Sequence, residues 1–195
     1  MSMFLGPIHF WLYNKIIKQE EFTEIIAEYA KKNNYISNSN KYIKSLPPLE
    51  EVIDESNIHG WLQTQIHDAE TRYANLVIEI LSGNNERIHE LEGLAFDYGK
   101  KYPTKPDLTA EEVFKTFEEF FLSGMPCDRI NTIIKSNSDH LIWEQALDIH
   151  ESYWTNNNDS SKTYYILRTS IMQGMLCDST FYVSSNDNNT YVISK

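Results

Sequence analysis

The chain has 195 residues, enough for one domain with its own core, and its 41% hydrophobic and 13% aromatic content exclude an intrinsically disordered protein. A formal net charge of −11 argues against binding nucleic acid or an anionic membrane surface, both of which need clustered Lys and Arg, and leaves a small ligand, a metal ion or a protein partner. Two cysteines do not make a secreted disulfide scaffold. There is no run of 18 apolar residues, no basic leader and no A-x-A cleavage site, so a cytoplasmic protein is expected.

Pro7 suits a first helical turn, and Leu12, Ile16, Ile26 and Ala30 recur at helical spacing, which predicts a helix over 8–33 ended by Asn33-Asn34. A connector with Pro47-Pro48 leads to a second long helix over 58–83, stopped by Gly83. A third helix is expected over 85–98, before Gly99 and Pro103. Thr109 and Glu112 form a capping box that opens a fourth over 109–123, rich in phenylalanine and closed by Gly124. Pro126 restarts a helix to Ile134, and Ser138 or Asp139 caps another from His140 to Trp154, so 126–154 reads as helical. A last helix covers 162–177. The β-branched and aromatic runs Thr180–Val183 and Thr190–Ile193 flank Asn186–Asn189 and predict a β-hairpin over 180–194, which must pack on the rest or on a partner. The expected fold is a single mostly α domain, an up-and-down-like multi-helix bundle with internal pseudo-symmetry and a small C-terminal β-hairpin.

The pseudo-symmetry is written in two near-repeats with an offset of 50 residues. Ile8-His9-Phe10-Trp11-Leu12, with Ile16 and Glu20, recurs as Ile58-His59-Gly60-Trp61-Leu62, with Ile66 and Glu70. Gly124-Met125-x-Cys127-Asp128 recurs as Gly174-Met175-x-Cys177-Asp178, and these copies hold both cysteines. On a helical wheel, His9, Tyr13 and Glu20 lie beside Leu12 and Ile16. His59, Gln63 and Glu70 lie on or beside the apolar face of the second long helix. Buried imidazoles and carboxylates are costly unless paired or bound to metal, and the same cost is incurred twice.

Inward His and Glu side chains on facing helices are how bundles build metal sites, which makes His9, Glu20, His59 and Glu70 candidate ligands for iron, zinc or manganese. His89 joins them through the Glu86-x-x-His89 spacing. Residues eleven apart on one helix are separated by roughly 16 Å, so ligands must come from different helices. Parallel helices would bring His9 to His59 and Glu20 to Glu70. Antiparallel ones would bring only the glutamates together. Tyr13 and Gln63 are candidate cofactor contacts. Cys127 and Cys177 are candidate reactive thiols or small buried residues. The other reading is structural: inward glutamates pair with a cation such as Arg72 or Arg129, and the first helix or the hairpin mediates a homodimer or a regulatory contact. Phosphate-loop, dinucleotide, nucleophile-elbow and zincin motifs are absent. A metal- or small-cofactor-binding bundle suited to redox chemistry therefore stands against a non-catalytic interaction module.

Overall fold

The computed structural model describes residues 5–125, 128, 130–154, 161–186 and 189–195. Helix makes up 58% of it, beside a small four-stranded antiparallel sheet, so the protein is mostly α. The chain forms two compact units, Met1–Gly83 with Phe120–Asp128, and Asn84–Glu119 with Arg129–Lys195. Among the described residues no helix is long and apolar enough to cross a membrane.

The first unit is built on two helices of 26 residues each, α1 (Pro7–Lys32) and α3 (Ile58–Gly83). Pro7 occupies the first turn of α1, as its fixed φ and missing N–H favour. At the other end Asn34 takes a left-handed φ of 59°. Its N–H reaches Lys31 O, and Tyr35 N–H reaches Ala30 O at 2.8 Å, so the last carbonyls are satisfied by a Schellman closure. Leu12, Tyr13 and Ile16 pack with Ile58, Leu62, Ile66 and Ala69 of α3, with Leu49 from the short α2 (Leu49–Val52), and with Leu122.

The two long helices run parallel. Contacts climb both together: His9 against His59, Tyr13 against Trp61, Glu20 against Arg72, Phe22 against Tyr73. An up-and-down arrangement of these consecutive helices is therefore not what forms. The connector, 33–57, carries the chain back to the starting end.

The second unit holds α4 (Ile88–Lys100), α5 (Ala110–Phe120, entering the first unit at its last residue), α6 (Glu151–Trp154) and α7 (Lys162–Met175). Its strands β1 (Asn131–Ser136), β2 (His140–Gln145), β3 (Tyr182–Ser185) and β4 (Thr190–Ser194) order as β1-β2-β4-β3. The capping box of α5 forms: Glu112 N–H donates to Thr109 Oγ1 at 3.3 Å and Thr109 N–H donates to Glu112 Oε2 at 2.8 Å. The C-terminal hairpin forms too, and β4 docks on β2.

The described residues from 130 to 150 correct the reading of 126–154 as helical, while 151–154 form the short helix α6 and 126, 127 and 129 lie outside the described residues. Instead of helices, 131–136 and 140–145 are antiparallel strands. Leu141, Trp143 and Gln145 are buried while Ile142 and Glu144 are less so, a period of two that the helical reading overlooked. The Asn137-Ser138-Asp139 cluster is the hairpin turn, with Asp139 N–H on Asn137 Oδ1 at 3.0 Å, and not a helix cap.

The repeated glycines differ in role. Gly124 has φ of 68° and makes a turn. Gly174 lies inside α7 against Gly99 of α4: a Cβ on Gly174 would sit 2.0 Å from Phe96 O, and one on Gly99 would sit 2.1 Å from Ile171 O. The two helix backbones touch, and only hydrogen side chains permit it.

Candidate functional site

The histidines of the repeat meet. His9 and His59 lie with ring centroids 5.8 Å apart, edge to face. His9 is buried and His59 exposed. Three residues into α1, His9 accepts a hydrogen bond at Nδ1 from Gly6 N–H at 2.9 Å, closing the helix N-terminus. In the neutral ring the proton must then sit on Nε2, so neither nitrogen offers a lone pair to a metal. A metal-bound histidine has the opposite pattern, donating from its second nitrogen. Tyr13 donates its hydroxyl to Pro47 O at 2.8 Å and lays its ring against Trp61 at 5.9 Å. Gln63 is exposed.

Further along the pair, Glu20 is buried and its carboxylate is gripped by Arg72. Nε donates to Oε2 at 3.2 Å and Nη2 donates to Oε1 at 2.8 Å, a bidentate fork. Glu70 is 2% exposed, one helical half-turn before Arg72. Burial, then the nearby Glu70 charge, push the Tyr73 phenol well above its ordinary value. The remaining candidates belong to other elements. His89, in the second unit, is exposed and pairs with Glu92 of its own helix at 2.9 Å and with Glu86 of the preceding 3₁₀ turn at 3.8 Å. Cys177 is an exposed free thiol. Cys127 falls outside the described residues. Met175 is buried, and Met125 packs on the first unit's core. Among the described residues no group of three or more His, Cys, Asp or Glu could hold a metal ion. Of the donors proposed for iron, zinc or manganese, Nδ1 of His9 and both oxygens of Glu20 are already engaged by protein groups.

Arg72 also leads to a feature the sequence reading missed. Asp68, the adjacent Thr71 and Arg72, Asn75 and Glu79 recur at three- and four-residue steps along α3 and form one polar stripe. Over it folds a tight 3₁₀ turn, Ser39–Lys41, with the residues after it. Lys44 donates to Gln65 at 2.7 Å and to Asp68 Oδ2 at 3.3 Å. Lys41 Nζ reaches Glu79 at 3.3 Å and Tyr42 Oη at 3.0 Å, and the Tyr42 hydroxyl donates a short bond to Glu79. Burial, helped by that bond, raises the Tyr42 phenol; the same bond lowers the Glu79 carboxyl. Hydrogen bonds to Tyr42 and Glu79 raise Lys41. Between turn and stripe lies a cleft of about 230 Å³ lined by Lys41, Tyr42, His67, Asp68, Thr71, Arg72 and Asn75. The spacing of the stripe was visible in the sequence. What hid it was the apolar face of the same helix, whose periodicity is stronger.

The second unit buries a polar chain of its own. Arg168 Nη1 donates to Gln145 Oε1 at 2.9 Å, and Gln145 Nε2 donates to Tyr165 Oη at 2.5 Å and to Leu147 O at 3.1 Å. Tyr165 donates to Asp148 Oδ1 at 2.8 Å, and the Ser161 hydroxyl binds Oδ2. Desolvation pushes the Asp148 carboxyl up, but the bonds from Ser161, Tyr165 and the N–H groups of His150 and Glu151 outweigh it and hold it below its ordinary value. Burial and then Asp148 raise the Tyr165 phenol. The network ties α7 to β2 and to the start of α6, a structural task. Because folded Asp148 ionises at lower pH than it does in the unfolded chain, its contribution is complete at neutral pH and fades as pH falls below about 4. Urea midpoints measured from pH 7 to pH 3 should therefore drop on the acid side for the wild type. Asp148→Asn should start lower and drop less steeply. Parallel profiles for the two would refute this role.

The chain matches no family model, no curated protein and no solved structure, so function rests on the geometry of these residues.

Proposed function

We propose that the protein is a binding module whose first unit takes a small polar molecule in the cleft between the α3 stripe and the Ser39–Lys41 turn. The observation that carries this reading is the state of Arg72. Glu20 engages Nε and one terminal nitrogen, which fixes the guanidinium plane, while Nη1 makes no bond to another described residue on a side chain that lines the cleft. A guanidinium held on one edge and open on the other is a preorganised donor for a ligand oxygen. Thr71 and Asn75 line the cleft beside it and add neutral polar groups. The buried glutamate that first suggested a metal ligand then has a different use, as the group that orients the cleft's arginine.

The cleft is small and polar, which suits weak, reversible binding of a metabolite-sized molecule, with a dissociation constant on the order of 1 mM, or about 4 kcal/mol. Amide chemical shifts of the 15N-labelled protein should report it during titration with inorganic phosphate, acetate, ethanolamine and L-serine. At least one probe is expected to move Lys41, Tyr42, Thr71 and Asn75 saturably, and Thr71→Trp, which fills the cleft, should abolish the effect. If none of the four shifts these amides, the reading fails.

A further inference from the structure

We propose that the cleft selects a zwitterion, a free α-amino acid with a small side chain, binding its carboxylate at Arg72 and its ammonium at Asp68. This rests on the reading above that the cleft is a ligand site.

Asp68 and Arg72 are four apart on α3, a spacing at which opposite charges normally pair with each other along a helix. Here each is drawn to a different partner. Arg72 turns to Glu20 on α1, and Asp68 is held through Oδ2 alone by Lys44. Among the described residues Arg72 Nη1 and Asp68 Oδ1 have no protein partner, a donor and an acceptor of opposite charge on two side chains that line the same cleft. A ligand that satisfies both must carry a carboxylate and an ammonium close together, as an α-amino acid does on a single carbon.

Single-charge ligands fit less well. A phosphate or dicarboxylate attracted by Arg72 and Lys41 would meet the Asp68 carboxylate, and a polyamine attracted by Asp68 would meet two cations. The cleft's own ion pairs, Lys41 with Glu79, Lys44 with Asp68 and Arg72 with Glu20, leave it close to neutral in a chain of net charge −11. That balance favours a ligand that is neutral overall and strongly dipolar. The volume of about 230 Å³ admits a small amino acid with a few waters. Thr71 and Asn75 can bond its carboxylate, its ammonium or a hydroxyl.

Three probes separate the possibilities: L-serine, N-acetyl-L-serine, which keeps only the carboxylate, and L-serine methyl ester, which keeps only the ammonium. Each is titrated into the whole 15N-labelled chain and into Asp68→Asn, an exposed-face substitution that leaves Arg72 and Glu20 intact. Serine should bind wild type at least about tenfold more tightly than either capped form, which corresponds to about 1.4 kcal/mol. Asp68→Asn should weaken serine by a similar factor and leave N-acetylserine unchanged or tighter. If N-acetylserine equals serine, or Asp68→Asn leaves serine binding unchanged, the zwitterion assignment is overturned while the cleft remains a ligand site. If serine is silent while phosphate, acetate or ethanolamine shifts the cleft amides, the result is the same. Silence from every probe in both panels overturns the assignment and the underlying reading together.

Discussion

Gly174→Ala should destabilise the second unit by about 3 kcal/mol or more, the upper range for forcing a methyl group into a filled contact. The added carbon would lie 2.0 Å from Phe96 O and 2.9 Å from Phe96 C, backbone atoms of α4 that no rotamer change can move. The helices must separate by more than an ångström, and the buried faces of α4 and α7, with Leu91, Ala95, Leu167 and Ile171, would separate with them. Gly99→Ala should behave alike, since its Cβ would meet Ile171 O at 2.1 Å. Gly93 is the internal control. It lies on the exposed side of α4 with nothing within 4 Å of a built Cβ, so Gly93→Ala should stabilise by roughly 0.5–1 kcal/mol through helix propensity alone. Urea unfolding followed by circular dichroism orders the three. A Gly174→Ala midpoint equal to wild type would mean that the crossing is not as close as described.

Breaking the Glu20–Arg72 fork should cost the first unit about 2 kcal/mol by either route, Glu20→Ala or Arg72→Ala. Removing one partner of a fully buried pair costs about 3–5 kcal/mol because the survivor keeps its desolvation penalty. Here the Glu20 side chain is 5% exposed but Arg72 is 19% exposed, so water relieves part of that penalty. The double replacement Glu20→Leu with Arg72→Met should recover a good part of the loss, since both charges leave together and the pair sits beside apolar core. The cycle separates charge compensation from simple loss of packing. If the double variant is as unstable as the sum of the singles, the two side chains contribute independently and the fork is incidental. Glu20→Gln adds a functional readout. It leaves Arg72 in place with a weaker anchor, so cleft binding should weaken more than stability does.

Much of this architecture is written in the apolar periodicity. The expected boundaries 8–33 and 58–83 are close to Pro7–Lys32 and Ile58–Gly83, because each helix carries apolar residues three and four apart and ends in a recognisable stop. The meeting of His9 with His59 was one of two alternatives, and the parallel course of the helices selected it. Arg72 was visible as a cation able to neutralise a buried glutamate; which glutamate it takes depends on packing. The β1–β2 hairpin was illegible for a local reason. Asn137-Ser138-Asp139 has the chemistry of both a helix cap and a turn, and Leu141 to Gln145 is too short for periodicity to separate three-residue from two-residue spacing with force. The cleft was illegible for a different reason. One wall is a stripe of α3, the other a tight turn some thirty residues earlier, and no local pattern records that a connector folds across a helix.

That connector has a kinetic consequence. A helix of 26 residues spans about 39 Å, and two such helices side by side in the same direction oblige the chain to travel that distance backwards between them. Antiparallel neighbours can zip from a short loop. A parallel pair closes only after a long loop has been ordered, so loop-closure entropy must be met before the interhelical contacts form. Folding of the first unit should accordingly be slower than its helix content suggests. A single proteolytic cut within 33–57 should also convert an intramolecular helix pair into a bimolecular one, whose integrity depends on protein concentration.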